Sequence, residues 1–180
     1  MTPAIDSRTD TGADKHTDSR WWHRFRRAQP HISLGTILLS GVGVIVAVSV
    51  LGLIAELTGH PLLIASFGAS CALICVLPSA PVSRPINMLG GHLVATAAGL
   101  AMLEIAPASW WTMGLATGVG VMLMTGLRVL HPPAAAMPIL VMLTDPGWMF
   151  LLTPVMAGAA VITVIAEVYR LVLGKRVWRA

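Results

Sequence analysis

Between Leu34 and Tyr169, a stretch of 136 residues, only six side chains carry a formal charge: Arg84, Arg128, Glu56, Glu104, Asp145 and Glu167. A water-soluble domain cannot cover its surface with so few. The remaining charges crowd the two ends, with six Lys/Arg and four Asp in residues 1–33 and four Lys/Arg in residues 170–180. Over the whole chain 56% of residues are apolar and 11% charged, against about 45–50% and about 25% in soluble domains. The pattern reads as an all-α polytopic membrane protein.

Residues 34–55 hold no charge over 22 positions, enough at about 1.5 Å per residue to cross a hydrocarbon core of about 30 Å. Further apolar runs fill residues 62–77, 86–103, 110–127, 133–143 and 148–166. Four of the six runs are expected to be full spans. The runs 62–77 and 133–143 are short and marked by glycine or proline, the second expected to be interrupted by Pro138 and closed by Asp145-Pro146. Residues 1–33 are expected to form a cytoplasmic segment, disordered to about residue 20 and then basic and aromatic through Trp21-Trp22-His23-Arg24-Phe25-Arg26-Arg27. Residues 34–170 form the transmembrane domain and 171–180 a basic cytoplasmic tail. Arg26-Arg27 is not read as a twin-arginine export signal, because the apolar stretch behind it is too long.

The six runs divide into two repeats, about 34–104 and about 110–167. Each reads as span, short His-Pro segment, span: His60-Pro61 introduces one short run and His131-Pro132-Pro133 the other. Paired short or proline-broken segments at equivalent positions point to a transporter's binding site. Backbone groups freed at such breaks persist at membrane depth only where protein or a water-filled cavity satisfies them, and a free helix start favours an anion. With both short runs crossing there are six membrane segments, two of them short or partial, and inverted repeats. With both re-entrant there are four passes and parallel repeats. Either way both ends are cytoplasmic, and the positive-inside rule favours six passes because it then gathers Arg84 and Arg128 with the basic ends.

Several residues are candidates for chemistry. His131 must sit at a helix break, since Pro132 pushes it out of the helical region and Pro132 and Pro133 suit a helix start. There it either donates to an anion or carries a proton, or else caps the break by bonding a carbonyl. Ser66 and Ser70 share one helical face, in a segment whose small residues Gly68 and Ala69 suit close approach or plain helix packing. Asn87 is placed to bond a neighbouring broken backbone or a substrate. His92 is either an inter-helix bond or a proton carrier. Arg84 either neutralises an anion or anchors a loop, whereas Glu56, Glu104, Arg128 and Glu167 mark span ends. Cys71 and Cys75 are too few for a zinc site and read as packing residues. No metal or other cofactor is expected.

Three of these motifs together, Phe67-Gly68-Ala69-Ser70, Pro85-Ile86-Asn87-Met88-Leu89-Gly90-Gly91-His92 and His131-Pro132-Pro133, resemble the HPP family of integral membrane proteins. The resemblance covers residues 34–170. It implies a multi-spanning protein, commonly with four predicted helices, and some members of plant plastids and cyanobacteria are linked to nitrite transport. Relatives often carry Gln before the first motif proline and Arg after it; here Arg84 precedes Pro85 and Ile86 follows.

The expected function is a membrane transporter or channel for a small inorganic anion, nitrite among them. The binding residues would be His131, Pro132, Pro133, Gly68, Ser70, Arg84, Asn87 and His92. The expected setting is the lipid bilayer of a bacterial inner membrane, as a homo-oligomer. The alternative is a non-transporting membrane anchor or sensor subunit. An enzyme is not expected, for want of paired carboxylates or an activated nucleophile. Nor is a nucleic-acid partner, because no basic element is interleaved with aromatics.

Overall fold

The computed structural model describes residues 31–177, with side chains through Leu171, and all regular structure among them is helical. The expected segment 1–33 therefore lies, but for its last three residues, outside the described residues. Helix α1 (Leu34–Thr58) opens behind Ser33, whose hydroxyl accepts from the Thr36 N–H, and closes on Gly59, whose left-handed φ of 71° suits glycine. Its exposed residues are largely apolar, and a single stripe of Ser40, Gly43, Ala47 and Leu51 is buried. That is the face of a helix with lipid on most sides and one tight contact.

After Gly59 the chain does not turn straight into helix. Leu62 and Ile64 are buried while Pro61 and Leu63 are exposed, and two successive i→i+2 hydrogen bonds, from the Leu62 N–H to the His60 carbonyl and from the Ile64 N–H to the Leu62 carbonyl, contract the chain here. Helix resumes only at α2 (Ala65–Val76). A 3₁₀ turn at Pro81–Ser83 leads into α3 (Pro85–Leu103), which begins at a proline, where the missing N–H is not needed. Next, α4 (Trp110–Gly126) is fixed at its start by reciprocal bonds between Ser109 and Thr112, and buries every fourth residue from Thr112 to Met124.

The later runs depart from expectation in three ways. Pro138 does not interrupt the run 133–143. The irregular part comes earlier, as a 3₁₀ turn over Pro132–Ala136, and Pro138 sits in the first turn of α5 (Met137–Thr144), where a proline fits. The run 148–166 is not one unbroken span: Thr153 is extended (φ −135°, ψ 117°) ahead of Pro154, inside a π-type turn at Leu151–Met156. The following α6 (Ala157–Val177) continues past the expected boundary at residue 170. Among the described residues three stretches are long and apolar enough to cross a membrane, Leu34–Thr58, Pro85–Leu103 and Leu151–Leu171. At 17 residues, α4 reaches about 26 Å, less than the full span expected of it.

Packing centres on α3, which lies against α4, α5, α6 and the Pro132–Ala136 turn, while α1 lies against α2 and α6. Glycines permit the closest approaches. A Cβ on Gly99 would stand 2.8 Å from Pro138 Cα, and one on Gly91 would stand 2.6 Å from His131 Cβ and 3.1 Å from the Val129 carbonyl oxygen. Gly158 seats α6 against the Phe67 ring in the same way. Beyond the end of α3, Glu104 accepts a 3.0 Å hydrogen bond from the Trp148 indole, and in α6 Arg170 pairs with Glu167.

Gly99→Ala should cost about 1–3 kcal/mol, because backbone rather than a flexible side chain stands in the way. Gly118→Ala, with nothing within 4 Å of the new methyl, should hold or raise stability by up to about 1 kcal/mol. Thermal denaturation of the two variants in detergent checks the contrast.

Candidate functional site

Three irregular stretches meet inside the bundle: the start of α2, the Pro81–Arg84 approach to α3, and the chain from Val129 to Pro133. Prolines make them irregular, and polar side chains tie them together. His131, extended at φ −133° and ψ 99° as a residue before proline should be, points its ring into the core. Its Nδ1 donates to the Val82 carbonyl oxygen at 2.8 Å, and its Nε2 lies 2.9 Å from Ser70 Oγ. His92, seven residues into α3, matches it. Nδ1 donates to the Met88 carbonyl oxygen at 2.9 Å and Nε2 lies 2.9 Å from Ser66 Oγ. In both rings the carbonyl partner can only accept, so the hydrogen at Nδ1 is assigned by the partner.

The two serines stand one helical turn apart on α2 and serve one ring each. Ser66 Oγ also lies 2.8 Å from the Pro133 carbonyl oxygen, and Ser70 Oγ 2.9 Å from the Ser66 carbonyl oxygen. The imidazole rings are 5.2 Å apart, inclined at 46°, and Phe67 covers His92 at 5.2 Å. His92, His131 and Ser70 have no solvent exposure, and Ser66 has 4%.

The expected site residues divide. His131, His92 and Ser70 are in the cluster, and Pro133 joins it through its carbonyl. Asn87 stands beside it: its Nδ2 donates to the Leu130 carbonyl oxygen at 2.9 Å, bonding a broken backbone. Pro132 is exposed and acts by setting the break. Arg84 is exposed, its guanidinium makes no hydrogen bond or ion pair with a described residue, and its backbone caps α3 by accepting from the Asn87 and Met88 N–H groups. Gly68 does not serve a close approach, since nothing lies within 4 Å of where its Cβ would be. The glycines that do serve one are Gly90 and Gly91, which admit Val129 and His131.

The spacing puts Ser66 on one face with Ser70 but does not mark it as a binding residue. Its i, i+4 spacing from Ser70 and the presence of two histidines were the available signal. The carbonyls of Val82, Met88 and Pro133 left no mark in the sequence. His60 is exposed, unlike His131, so the two His-Pro pairs occupy unlike surroundings. Among the described residues no group of three or more His, Cys, Asp or Glu is placed to hold a metal. Cys71 and Cys75 are buried free thiols.

A family profile described as HPP, transmembrane region, matches residues 29–178, which include every residue of this cluster. A transmembrane protein of Dictyostelium discoideum is 30% identical over 114 residues, covering 59% of this chain and 40% of that protein. The match thus spans about two fifths of the relative's length. No solved structure matches the chain significantly.

Ser66→Ala should destabilise more than Ser70→Ala. Ser66 joins α2 to both α3 and the Pro132–Ala136 turn, whereas the second bond of Ser70 is local to its own helix. Leaving buried partners unmatched costs about 1–3 kcal/mol; melting temperatures of the two variants give the order.

Proposed function

We propose, given that this chain belongs to the HPP transmembrane family, that it is a transporter or channel for a small inorganic anion such as nitrite. The binding site would lie where its two His-Pro-led segments begin. One observation carries the reading: the 2.8 Å contact between Ser66 Oγ and the Pro133 carbonyl oxygen joins the starts of those segments beside both buried histidines.

The path of the chain favours six crossings. Ser66 is level with His92, seven residues or about 10 Å into α3. Residues 60–64 carry the chain back along α1 as far as Gly52, against which Leu63 packs about 9 Å before the end of that helix, and α2 completes the return. His131 lies against Gly91 and Pro138 against Gly99, so the Pro132–Thr144 segment runs alongside α3 in the same direction. Then α6 returns past Phe67, Met88 and finally Gly43, near the start of α1. This makes two inverted halves of three crossings, each with a second crossing that starts as irregular or 3₁₀ backbone and ends as α-helix. Arg84 and Arg128 fall at the same end as the basic termini, which the positive-inside rule puts in the cytoplasm.

The chemistry suits an anion. Among the described residues no side chain caps the start of α2 or of α3, so the N–H groups of Ala65, Ser66 and Ile86 are free to face a negative charge; the Pro132–Ala136 turn offers none, because Pro132 and Pro133 have no N–H and Ala134 donates to the His131 carbonyl. Hydroxyl and imidazole hydrogens stand beside them with no carboxylate among their partners. Because the cluster is sealed, passage requires one half to move against the other. We place the protein in a bacterial inner membrane, as a homo-oligomer and without enzymatic activity.

Reconstituted protein should move nitrite or nitrate down a gradient. His131→Ala should lower that flux by about tenfold or more, the equivalent of about 1.4 kcal/mol for one lost contact, while staying monodisperse. Absence of any flux from well-folded unaltered protein would favour the anchor or sensor reading instead.

A further inference from the structure

Counting hydrogens around the two histidines leaves each ring one short. His131 Nδ1 faces the Val82 carbonyl oxygen, His131 Nε2 faces Ser70 Oγ, and Ser70 Oγ faces the Ser66 carbonyl oxygen. These are three contacts in a row, with a carbonyl at either end that can only accept. A neutral imidazole and one serine hydroxyl supply two hydrogens. Filling all three contacts takes a third, which is the second ring hydrogen of an imidazolium. His92 repeats the pattern from the Met88 carbonyl through Ser66 Oγ to the Pro133 carbonyl. The two rows meet at Ser66, whose carbonyl ends one and whose hydroxyl sits within the other.

Both rings cannot carry the extra hydrogen at once. They are 5.2 Å apart in a core without exposure, where two like charges repel strongly. Among the described residues nothing packed around them offers a counter-charge. Helix α4, the Pro132–Thr144 segment and the Leu151–Met156 turn contain no titratable residue. On α2 the titratable groups are Cys71 and Cys75; on α3 His92 is the only one before Glu104, which is engaged by Trp148 beyond the helix end. In α6, Glu167, Tyr169 and Arg170 lie a turn or more beyond Thr163, the residue level with Met88. Glu56 of α1 and Arg84 before α3 are exposed.

We propose that His92 and His131, with Ser66 and Ser70, form a proton-binding pair that takes up one excess proton per chain. The proton comes from a hydronium ion of the bulk solution, whose O–H bond breaks to leave water. An N–H bond forms at one Nε2, the adjoining serine hydroxyl turns from that nitrogen to its carbonyl, and release reverses both moves. No electrons are transferred. The inference deepens the anion reading and rests on it only for its purpose: one imidazolium supplies a positive charge to the cluster, so anion and proton enter as a neutral pair.

The test counts protons on the rings by nitrogen-15 imidazole signals in nanodiscs. It uses full-length chain in which His16, His23, His31 and His60 are replaced by Gln. From about pH 8 to about pH 4 the pair should gain one proton. Adding His92→Gln or His131→Gln should still leave one, because the remaining ring no longer competes, and the double variant should gain none. The same comparison by difference, in chain that keeps the other four histidines, guards against misfolding of the reduced background. Two protons in the unaltered pair and one in each single variant, or none in the unaltered pair, would overturn the proposal.

A second arm separates the two readings. Nitrate, whose conjugate acid is too strong to carry the proton itself, should acidify the vesicle interior as it enters. One proton bound without any nitrate movement sinks the anion reading and keeps the proton pair. Nitrate movement without acidification sinks the pair's coupling.

Discussion

A membrane interior has no water to satisfy a backbone carbonyl or N–H, and the rest of this structure depends on how that constraint is met where helices break. Prolines at 61, 81, 85, 132 and 133 remove donors and force extended or 3₁₀ backbone. The carbonyls this leaves are answered by side chains brought from elsewhere: His131 for Val82, Asn87 for Leu130, Ser66 for Pro133. Each of these bonds spans more than 40 residues of sequence. They hold the irregular stretches at depth, and they also gather the polar groups of the candidate site. Stability and chemistry share the same atoms here.

Close approach is the second condition. Bonds of 2.8–2.9 Å between α2, α3 and the Val129–Pro133 chain require backbones to lie nearly in contact, and Gly90 and Gly91 make room for Val129 and His131. Small residues at such contacts are how membrane helices associate where burial of apolar surface no longer drives them together. The same tightness seals the cluster, which is why passage of a solute calls for relative motion of the halves.

Much of this was legible from residue types. Segment existence followed from the scarcity of charge, because no other element tolerates lipid. The break at His131 followed from Pro132, and the pairing of hydroxyls on one face from the i, i+4 spacing of Ser66 and Ser70. Other features were not legible. Pro154 gave the same signal as Pro138, yet one lies within a broken turn and the other at a helix start. Which case holds depends on what packs around the residue. Arg84 looked like the best cation for an anion site, and its exposure reflects the direction in which the chain enters α3.

By itself the sequence determined that this chain is helical and membrane-embedded, that its backbone must break at His131, and which polar residues are costly enough in lipid to need partners. These are local matters of charge, hydrogen bonding and proline geometry. Only the tertiary structure decided that His92 pairs with Ser66 and His131 with Ser70, that the rings stand 5.2 Å apart, and that His60 stays outside while its counterpart is buried. Those outcomes depend on helix direction and on glycine contacts between distant segments, which no single stretch of sequence contains.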